Sequence, residues 1–384
     1  MMKILITGAK GFVGQNLVSA LQNIRDGKEE NGFLTSDLEL LTYDLDSNPH
    51  TLSDYCKDCD FVFHLAGVNQ PETESGFMES NYGFSAMLLD TLKRFGNTCP
   101  VMFASSAKTE AETMDSYAQS KKAGEDLFFR YAKETGAKVY VFHFPNLFGK
   151  WAKPNYNSVV ATFSYNIAHG LPITVNNRSH HMTLAYIDDV IETLLALLSG
   201  QVFKKDGYCI VPVVHEVTLG EIADLLYSFQ ENRRTAQMPD MTDGSFSKKL
   251  YSTYLSYLPT DSFSYPLNVM QDEKGLSAIF LKTAQSGQFS VNILKPHKIK
   301  GNHWHHSKNQ KVLVVGGRGV IRFRFVEGNE VFAYPVSADK PEVIDIPSGY
   351  THHIENVGEE DLVTLIWYNE CYDPMRPDTY DLEV

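Results

Sequence analysis

Hydrophobic residues in the first 240 positions form short unbroken runs, and longer segments with helical spacing separate them. The runs are Ile4–Ile6, Phe61–Phe63, Val101–Phe103 and Val139–Phe142. An unbroken apolar run is what a parallel strand needs when both of its faces are buried. The segments from Glu79 to Phe95 and from Ser120 to Thr135 have the spacing of helices. The alternation predicts a doubly wound parallel α/β sheet.

The pattern changes after about residue 270, where apolar and polar residues alternate. Alternating apolar positions occur in Phe289–Ile293, Ile321–Phe325 and Val343–Ile346, and glycine-containing turns separate them. This spacing predicts an antiparallel sandwich or barrel. Residues 240–270 follow neither pattern, which indicates a linker or arm. We therefore expect two domains, residues 1–245 and 246–384, in agreement with a length of 384 residues.

Composition narrows the partners and the compartment. Lys and Arg number 34 and Asp and Glu 47, so the net charge of −13 disfavours nucleic acid and anionic membranes. The sequence has no run resembling a signal peptide or a membrane span. Its five cysteines are scattered, which is typical of a reducing compartment. We expect a cytoplasmic protein with no nucleic-acid or membrane partner.

The first candidate site is a glycine-rich turn between the first strand and a helix. It comprises Gly8, Lys10, Gly11, Phe12, Val13 and Gly14. Glycines let the backbone approach a pyrophosphate, and the helix N-terminus supplies N–H groups and positive potential. Ala66 and Gly67 end a later strand and provide a flat surface for a cofactor. These features predict a Rossmann-type dinucleotide-binding domain.

The choice of coenzyme stays open. Asp44 ends the second strand, where a carboxylate can accept hydrogen bonds from the ribose of NADH and repels the 2′-phosphate of NADPH. Lys10 favours NADPH, since a cation can meet that phosphate. Asp44 is otherwise interpreted as a solvated loop acid.

A candidate catalytic set follows. Ser105 and Ser106 end a strand, and Tyr117 and Lys121 lie four residues apart on a predicted helix. Residues at that spacing share one helix face. A nearby ammonium is expected to lower the pKa of the phenol, so that tyrosine can transfer a proton near neutral pH.

Residues 1–245 resemble the extended short-chain dehydrogenase/reductase family through GAKGFVG, HLAG, Asn81, SS, YAQSK, PNLFG and YIDD. The resemblance implies Ser106 rather than Ser105 as the active serine, Tyr117 as the proton donor and Lys121 as the residue that holds the cofactor ribose. It also implies substrate contacts from Asn146 and Arg178, although Arg178 can equally be a solvated surface arginine. Sugar-nucleotide dehydratases carry Asp-Glu where this chain has Ala107-Lys108. Keto reduction or epimerisation is therefore favoured over dehydration.

The second candidate site is a histidine cluster. His303 and His305 are two apart on a predicted strand, so both can reach one ion, and Gln310 and His352 complete the set. HxH and PxGxxHxxxN resemble the two motifs of the cupin family, which implies an all-β jelly-roll barrel with a divalent metal, zinc being the first expectation. Gln310 replaces the acid of the first motif. His306 and His353 are expected to point outward. The alternative is a histidine-lined barrel that holds no ion.

The order of the two domains resembles that of bifunctional capsular-polysaccharide enzymes, from NLFGKWAKPNYNSVVATF through GNHWHH to Asp373–Thr379. That resemblance implies a UDP-2-acetamido-2,6-dideoxy-4-hexulose substrate, C3 epimerisation by the cupin and C4 reduction by the reductase domain, giving UDP-N-acetyl-6-deoxytalosamine. It leaves the cupin base open between His297 and a barrel tyrosine such as Tyr334. A homodimer is expected. The alternatives are a non-catalytic cupin used for binding or dimerisation, and a non-enzymatic scaffold.

Overall fold

The computed structural model describes residues 1–30, 32, 36–69, 73, 75–111 and 113–384. Contacts divide the chain into two compact units. The first unit comprises Met1–Leu226 and Lys249–Leu258, and the second comprises Tyr227–Lys248 and Pro259–Val384. The boundary between residues 245 and 246 stays a prediction. Among the described residues, no helix is both long enough and apolar enough to span a membrane.

The first unit is built on a largely parallel sheet. Its strands are β1 (Met2–Thr7), β2 (Leu38–Tyr43), β3 (Phe61–His64), β4 (Val101–Ser106), β5 (Val139–Phe144), β6 (Asn146–Phe148), β7 (His181–Tyr186), β8 (Lys204–Lys205), β9 (Tyr208–Cys209) and β10 (His215–Thr218). Seven strands form one sheet in the order β2-β1-β3-β4-β5-β9-β8, and β10-β7-β6 form a second. Every pair in the larger sheet is parallel except β8 with β9.

Helices connect these strands. They are α1 (Phe12–Arg25), α2 (Pro49–Asp58), α3 (Ser75–Phe77), α4 (Phe84–Phe95), α5 (Ser116–Thr135), α6 (Val159–Ala168) and α7 (Ile187–Leu198), with a π-helical turn at Met78–Gly83 and a 3₁₀ turn at Ala107–Glu110. The division between the units falls within α8 (Leu219–Thr235) and α9 (Phe246–Leu255).

Burial on both faces explains the unbroken apolar runs. On β1, Ile4 and Ile6 pack into the cluster that includes α1 and α7, whereas Leu5 packs into the cluster that includes α2, α4 and α5. Successive strand residues point to opposite faces, so a strand covered on both sides needs apolar residues at every position. The predicted Rossmann-type sheet is confirmed.

The second unit consists of two antiparallel sheets. Its strands are β11 (Val269–Gln271), β12 (Gly275–Thr283), β13 (Gly287–Leu294), β14 (Ile299–Trp304), β15 (Gln310–Gly316), β16 (Arg318–Phe325), β17 (Val331–Ser337), β18 (Val343–Ile346), β19 (Tyr350–Asn356), β20 (Leu362–Tyr368) and β21 (Tyr380–Asp381). The sheet orders are β11-β12-β13-β20-β15-β18 and β17-β16-β19-β14-β21. One apolar core takes residues from both sheets, including Val312 on β15 and Ile321 on β16. The all-β cupin barrel is confirmed.

Two local features differ from the simplest reading of the sequence. The stretch expected to be a linker or arm contains α9, which buries Leu250 and Tyr254. On β13 the residues that face inward are polar, because Gln288, Ser290 and Asn292 are all buried. Alternation reveals that a strand has two different faces, but not which face a barrel encloses.

Candidate active site and metal centre

The glycine-rich turn has the shape of a dinucleotide cradle. Gly8 has φ of 71°, a left-handed conformation that favours glycine. A Cβ on Gly8 would lie 2.6 Å from the backbone nitrogen of Ala66, so the turn packs directly against the end of β3. Gly11 is the N-cap of α1, and the amides of Phe12 and Val13 open the helix. The residues present therefore fit a pyrophosphate.

Charges beside the cradle leave the coenzyme open. The Asp44 carboxylate accepts a hydrogen bond from the Lys10 backbone N–H at 2.7 Å, which places it at the edge of the glycine turn. The Lys10 ammonium is paired with Asp46, and both side chains are exposed. The cation that would favour NADPH is thus already beside a carboxylate. NADH and NADPH both remain predictions.

Helix α5 brings Tyr117, Lys121 and Ser106 together. Asp115 caps the helix by accepting from the Ala118 N–H at 2.7 Å, so Tyr117 lies in the first turn. The Ser106 hydroxyl lies close enough to the Tyr117 hydroxyl to lower its pKa, and it also accepts from the Lys108 N–H at 3.3 Å. The Lys121 ammonium lies 6.0 Å from the Tyr117 ring centre and donates to the Ala104 carbonyl at 2.9 Å.

The same ammonium adjoins the surface expected to carry the cofactor. A Cβ on Gly67 would lie 2.8 Å from the Lys121 Nζ atom. The proton-transfer candidates and the end of β3 therefore share one location. Their roles remain predictions.

The expected lowering of the Tyr117 pKa by Lys121 is wrong for this structure. Burial raises the pKa of the Tyr117 hydroxyl to about 12, although the neighbouring Ser106 hydroxyl lowers it. Burial also lowers the pKa of the Lys121 ammonium to about 8. Desolvation penalises the charged form of each group, and it is the largest cause of both pKa shifts. Tyr117 is consequently protonated at neutral pH, as a proton donor must be.

The two serines have different surroundings. Ser105 is buried and donates to the Glu125 carboxylate at 2.5 Å. Glu125 is itself fully buried, and it also contacts Thr109 and His143, each at 2.9 Å. Burial raises the pKa of Glu125, but these hydrogen bonds and the one from Lys122 outweigh it and leave the pKa at about 2. The Ser105 hydroxyl therefore donates its hydrogen to the ionised Glu125 carboxylate, whereas the Ser106 hydroxyl lies beside Tyr117.

Replacing each serine with alanine is expected to separate these roles. Ser106→Ala should lower kcat/KM for ketone reduction by about 100-fold, the typical cost of losing one donor to a developing oxyanion. Ser105→Ala should leave kcat/KM close to that of the parent chain but lower the free energy of unfolding by about 1–3 kcal/mol, since Glu125 loses a donor. Steady-state kinetics and denaturant unfolding measure the two effects, and the reverse pattern would contradict the assignment.

The sequence did not reveal the structural roles of two residues that hold the site in place, Glu125 and Asn81. Glu125 follows Lys121 by one helical turn, and this i, i+4 spacing was a usable signal. Asn81 was noted only as part of a motif. Its side-chain oxygen accepts from the Val68 N–H at 2.8 Å and its amide donates to the Ser120 hydroxyl at 3.0 Å. Asn81 therefore ties the end of β3 to α5.

Asn146 and Arg178 both lie at the surface of the first unit. Asn146 begins β6 and is exposed. Arg178 is exposed and donates to the Asp224 carboxylate at 2.6 Å. Their substrate contacts stay predictions, and Arg178 already has an anionic partner.

His303, His305 and His352 form a cluster in the second unit. Their candidate ligand nitrogens all lie within 4.8 Å of one another. A β-bulge lies between Gly301 and His303, and beyond it His303 pairs directly with His352 on β19. Burial lowers the pKa of His303 to about 4 and that of His352 to about 3, so both are neutral, as metal ligands must be.

Gln310 completes this cluster. Its side-chain Nε2 atom lies 2.8 Å from Nε2 of His305 and 3.4 Å from Nε2 of His352. Carbonyl and amide ends of glutamine can exchange by rotation, so the oxygen can face the same point. Three imidazoles and an amide fit zinc or another divalent transition ion.

The neighbouring histidines point elsewhere. His306 packs against Trp304 and Tyr380. The His353 Nδ1–H donates a hydrogen bond to Asn302 Oδ1, 2.8 Å away. His297 is exposed near Glu359, whereas the Tyr334 ring meets the edge of Phe323. Which residue serves as a cupin base stays open.

Polar residues line the same interior as the histidines. Tyr368 on β20 pairs with Gln288 on one side and Gln310 on the other, so all three side chains point to one face of the sheet. Ser290 and Asn292 follow Gln288 at alternate positions along β13, and their side chains are buried on the same face. Burying polar groups is costly unless they find partners. A polar interior beside a histidine cluster is suited to a hydrophilic ligand.

Comparisons with known proteins agree with this architecture. Residues 4–208 match the NAD dependent epimerase/dehydratase family, and residues 270–380 match the polysaccharide biosynthesis C-terminal domain. The chain belongs to the NAD dependent epimerase/dehydratase family, and a polysaccharide biosynthesis C-terminal domain follows the family's region in the sequence.

Particular relatives share both parts. The crystal structure of the capsular polysaccharide assembling protein CapF from Staphylococcus aureus is 47% identical, with a TM-score of 0.90 and full coverage of both chains. A Pseudomonas aeruginosa protein named UDP-2-acetamido-2,6-beta-L-arabino-hexul-4-ose reductase is 38% identical over 100% of this chain and 99% of its own. The chain is CapF-like in sequence and fold.

Proposed function

We propose that the chain is a bifunctional sugar-nucleotide enzyme of surface-polysaccharide synthesis. The first unit reduces C4 of a UDP-2-acetamido-2,6-dideoxy-4-hexulose, and the second epimerises C3 beforehand. The product is UDP-N-acetyl-6-deoxytalosamine. The grouping of Ser106, Tyr117 and Lys121 beside a glycine cradle carries the proposal, and the name of the P. aeruginosa relative supports a 4-ketone as the reduced group.

The roles in the first unit follow from the protonation states. A bound NADH or NADPH supplies the hydride for C4. Tyr117, protonated because its pKa is about 12, gives its proton to the ketone oxygen, and Ser106 donates a hydrogen bond to the same oxygen. Lys121 holds the cofactor ribose and places a positive charge near the developing alkoxide. Gly8–Gly14 bind the pyrophosphate, and Asn146 and Arg178 contact the substrate.

The Lys121 pKa predicts the pH dependence of reduction. Its value of about 8 means that the ammonium loses its proton as pH rises through 8, while Tyr117 keeps its own. We therefore expect kcat/KM to be highest below pH 8 and to fall above it. Lys121→Arg should remove this alkaline limb, because arginine stays protonated throughout the range. A parent profile that stays flat through pH 8 would contradict the assignment.

The proposed role of the second unit rests on the His303, His305 and His352 cluster. These residues and Gln310 would hold a divalent ion, for which zinc is the first candidate. When bound, that ion supplies Lewis acidity toward the substrate ketone. Gln310 adds no charge, so the site keeps one positive charge more than a three-histidine, one-glutamate site. The polar barrel interior supports sugar binding at the same place.

Chemistry fixes the order of the two steps. A proton on C3 is acidic because it is next to the C4 ketone, so base can remove it and return it to the opposite face. Reduction of C4 removes the ketone and ends the exchange. Epimerisation must therefore come first.

Incubation of the full chain with the UDP-4-keto sugar tests the proposal. Oxidation of NADH or NADPH should accompany formation of a reduced UDP-sugar whose C3 configuration has changed. A product reduced at C4 with unchanged C3 would support the alternative of a non-catalytic cupin. Coenzyme that is bound but never oxidised would support a non-enzymatic scaffold.

A further inference from the structure

We infer that the C-terminal segment Pro377–Glu383 is a clamp that positions the histidine ligands of the second unit, with Asp378 as its central positioning residue. The inference rests on the metal site put forward under the proposed function. It concerns residues that follow Gln310, His305 and His303 by more than 60 positions and His352 by at least 25.

The clamp fixes the tautomer of His305. The His305 Nδ1 atom lies 2.6 Å from the backbone carbonyl oxygen of Asp378. A carbonyl can only accept, so Nδ1 must carry the hydrogen and Nε2 must present its lone pair. Nε2 is the atom beside Gln310. A ligand histidine whose other nitrogen donates to a fixed acceptor is held in the orientation that a metal requires.

The Asp378 carboxylate holds the loop that follows His305. Its two oxygens accept from three consecutive backbone N–H groups, those of His306, Ser307 and Lys308, each at 2.9 Å. The Ser307 hydroxyl donates to it as well, at 3.1 Å. These bonds fix the segment that runs from His305 toward Gln310.

Lys308 secures the segment from the other direction. Its side chain is buried and donates from Nζ to the Pro377 carbonyl at 2.6 Å. Loop and clamp are thus linked by hydrogen bonds in both directions. Neither part can move without breaking bonds made by the other.

The rest of the clamp reaches the other ligand strands. Asp381 pairs with His303 as β21 adds to the edge of β14, and the Leu382 N–H donates to the Asn302 carbonyl at 2.9 Å. The Thr351 hydroxyl, next to His352, donates to the Leu382 carbonyl. The segment therefore contacts the neighbours of all three histidines, which come from two different parts of the chain.

Zinc affinity of the full-length chain tests this inference. Metal-free protein is titrated with zinc against a competing chromophoric chelator. Asp378→Ala removes the carboxylate, and it should weaken zinc binding by about 10- to 100-fold, the usual cost of losing a residue that orients a ligand. Asp378→Asn keeps one acceptor oxygen and tolerates the left-handed φ of 41° at this position, so its affinity should be intermediate.

Asp373→Ala is the matched control. Asp373 lies in the same C-terminal region, and its carboxylate accepts from the Met375 N–H at 2.9 Å, within its own turn. Its removal should leave zinc affinity unchanged. Cobalt substitution adds a second readout, because the visible spectrum of bound cobalt should change in the Asp378 variants and not in the control.

Two results would overturn the clamp, and they differ. Equal zinc affinity and equal cobalt spectra in the parent chain, Asp378→Asn and Asp378→Ala would refute the positioning role while leaving the metal site standing. A parent chain that binds neither ion would refute the metal site, and the clamp with it. Near-ultraviolet circular dichroism of the metal-free variants identifies any that fail to fold. If Asp378→Ala does not fold, the zinc affinity of Asp378→Asn tests the positioning role instead.

Discussion

Tyr117→Phe should reduce kcat/KM for ketone reduction by about 100- to 10,000-fold, the usual contribution of a positioned general acid. The substitution removes one oxygen, and with it the proton that the ketone oxygen must receive. The ring keeps its packing against Phe77, whose centre lies 6.0 Å away. Coenzyme binding should persist, since the glycine cradle and Lys121 are unchanged. Coenzyme oxidation measures the rate, and titration of coenzyme fluorescence measures the binding.

Tyr140→Phe is the control for this loss. Tyr140 lies on β5, half-buried, with its ring 6.3 Å from that of Phe61. Removal of its hydroxyl should leave the reduction rate unchanged. A Tyr117→Phe chain that reduces the ketone at the parent rate would mean that the proton comes from elsewhere.

His352→Ala should abolish solvent exchange at C3 while reduction at C4 continues. His352 is the proposed ligand contributed by β19, and its ring centre lies 4.7 Å from that of His303. Loss of a direct ligand should weaken zinc binding by more than the roughly 100-fold that loss of a supporting contact costs. In deuterium oxide the parent chain should place deuterium at C3, whereas the variant should not. Mass spectrometry and proton NMR of the product distinguish the two.

The adjacent histidine offers a close control. His353 faces Asn302 and Arg322 instead of the cluster. His353→Ala should retain zinc binding and C3 exchange. Exchange that survives in His352→Ala at the parent rate would show that epimerisation does not depend on the proposed centre.

The fold and the clustering of three histidines could be predicted from local sequence patterns. The unbroken apolar runs at Ile4–Ile6 and Phe61–Phe63 reflect burial on two faces. The alternation after residue 270 reflects strands with one face inward. The spacing of His303 and His305 predicted that both can reach one ion. In the structure His305 follows the end of β14, and His352 joins the two histidines. Such features can be predicted because they depend on the spacing of residues along a single strand or helix.

Features that depend on tertiary surroundings were not predictable in the same way. The raised pKa of Tyr117 arises from burial, which spacing along a helix does not report. The inward polar face of β13 depends on which side the barrel closes. Asp378 lies 73 residues from His305 in sequence, and no motif joins them. Contacts between distant segments are fixed by the packing of the whole unit.

The central claim is hydride transfer to C4 with protonation by Tyr117, and an isotopic label tests it most directly. The full chain is incubated with the UDP-4-keto sugar and a nicotinamide coenzyme deuterated on the transferring face. We predict one deuterium at C4 of the sugar, incorporated at least about 100-fold more slowly when Tyr117→Phe replaces the parent chain. Turnover of the sugar without deuterium at C4 would contradict the account.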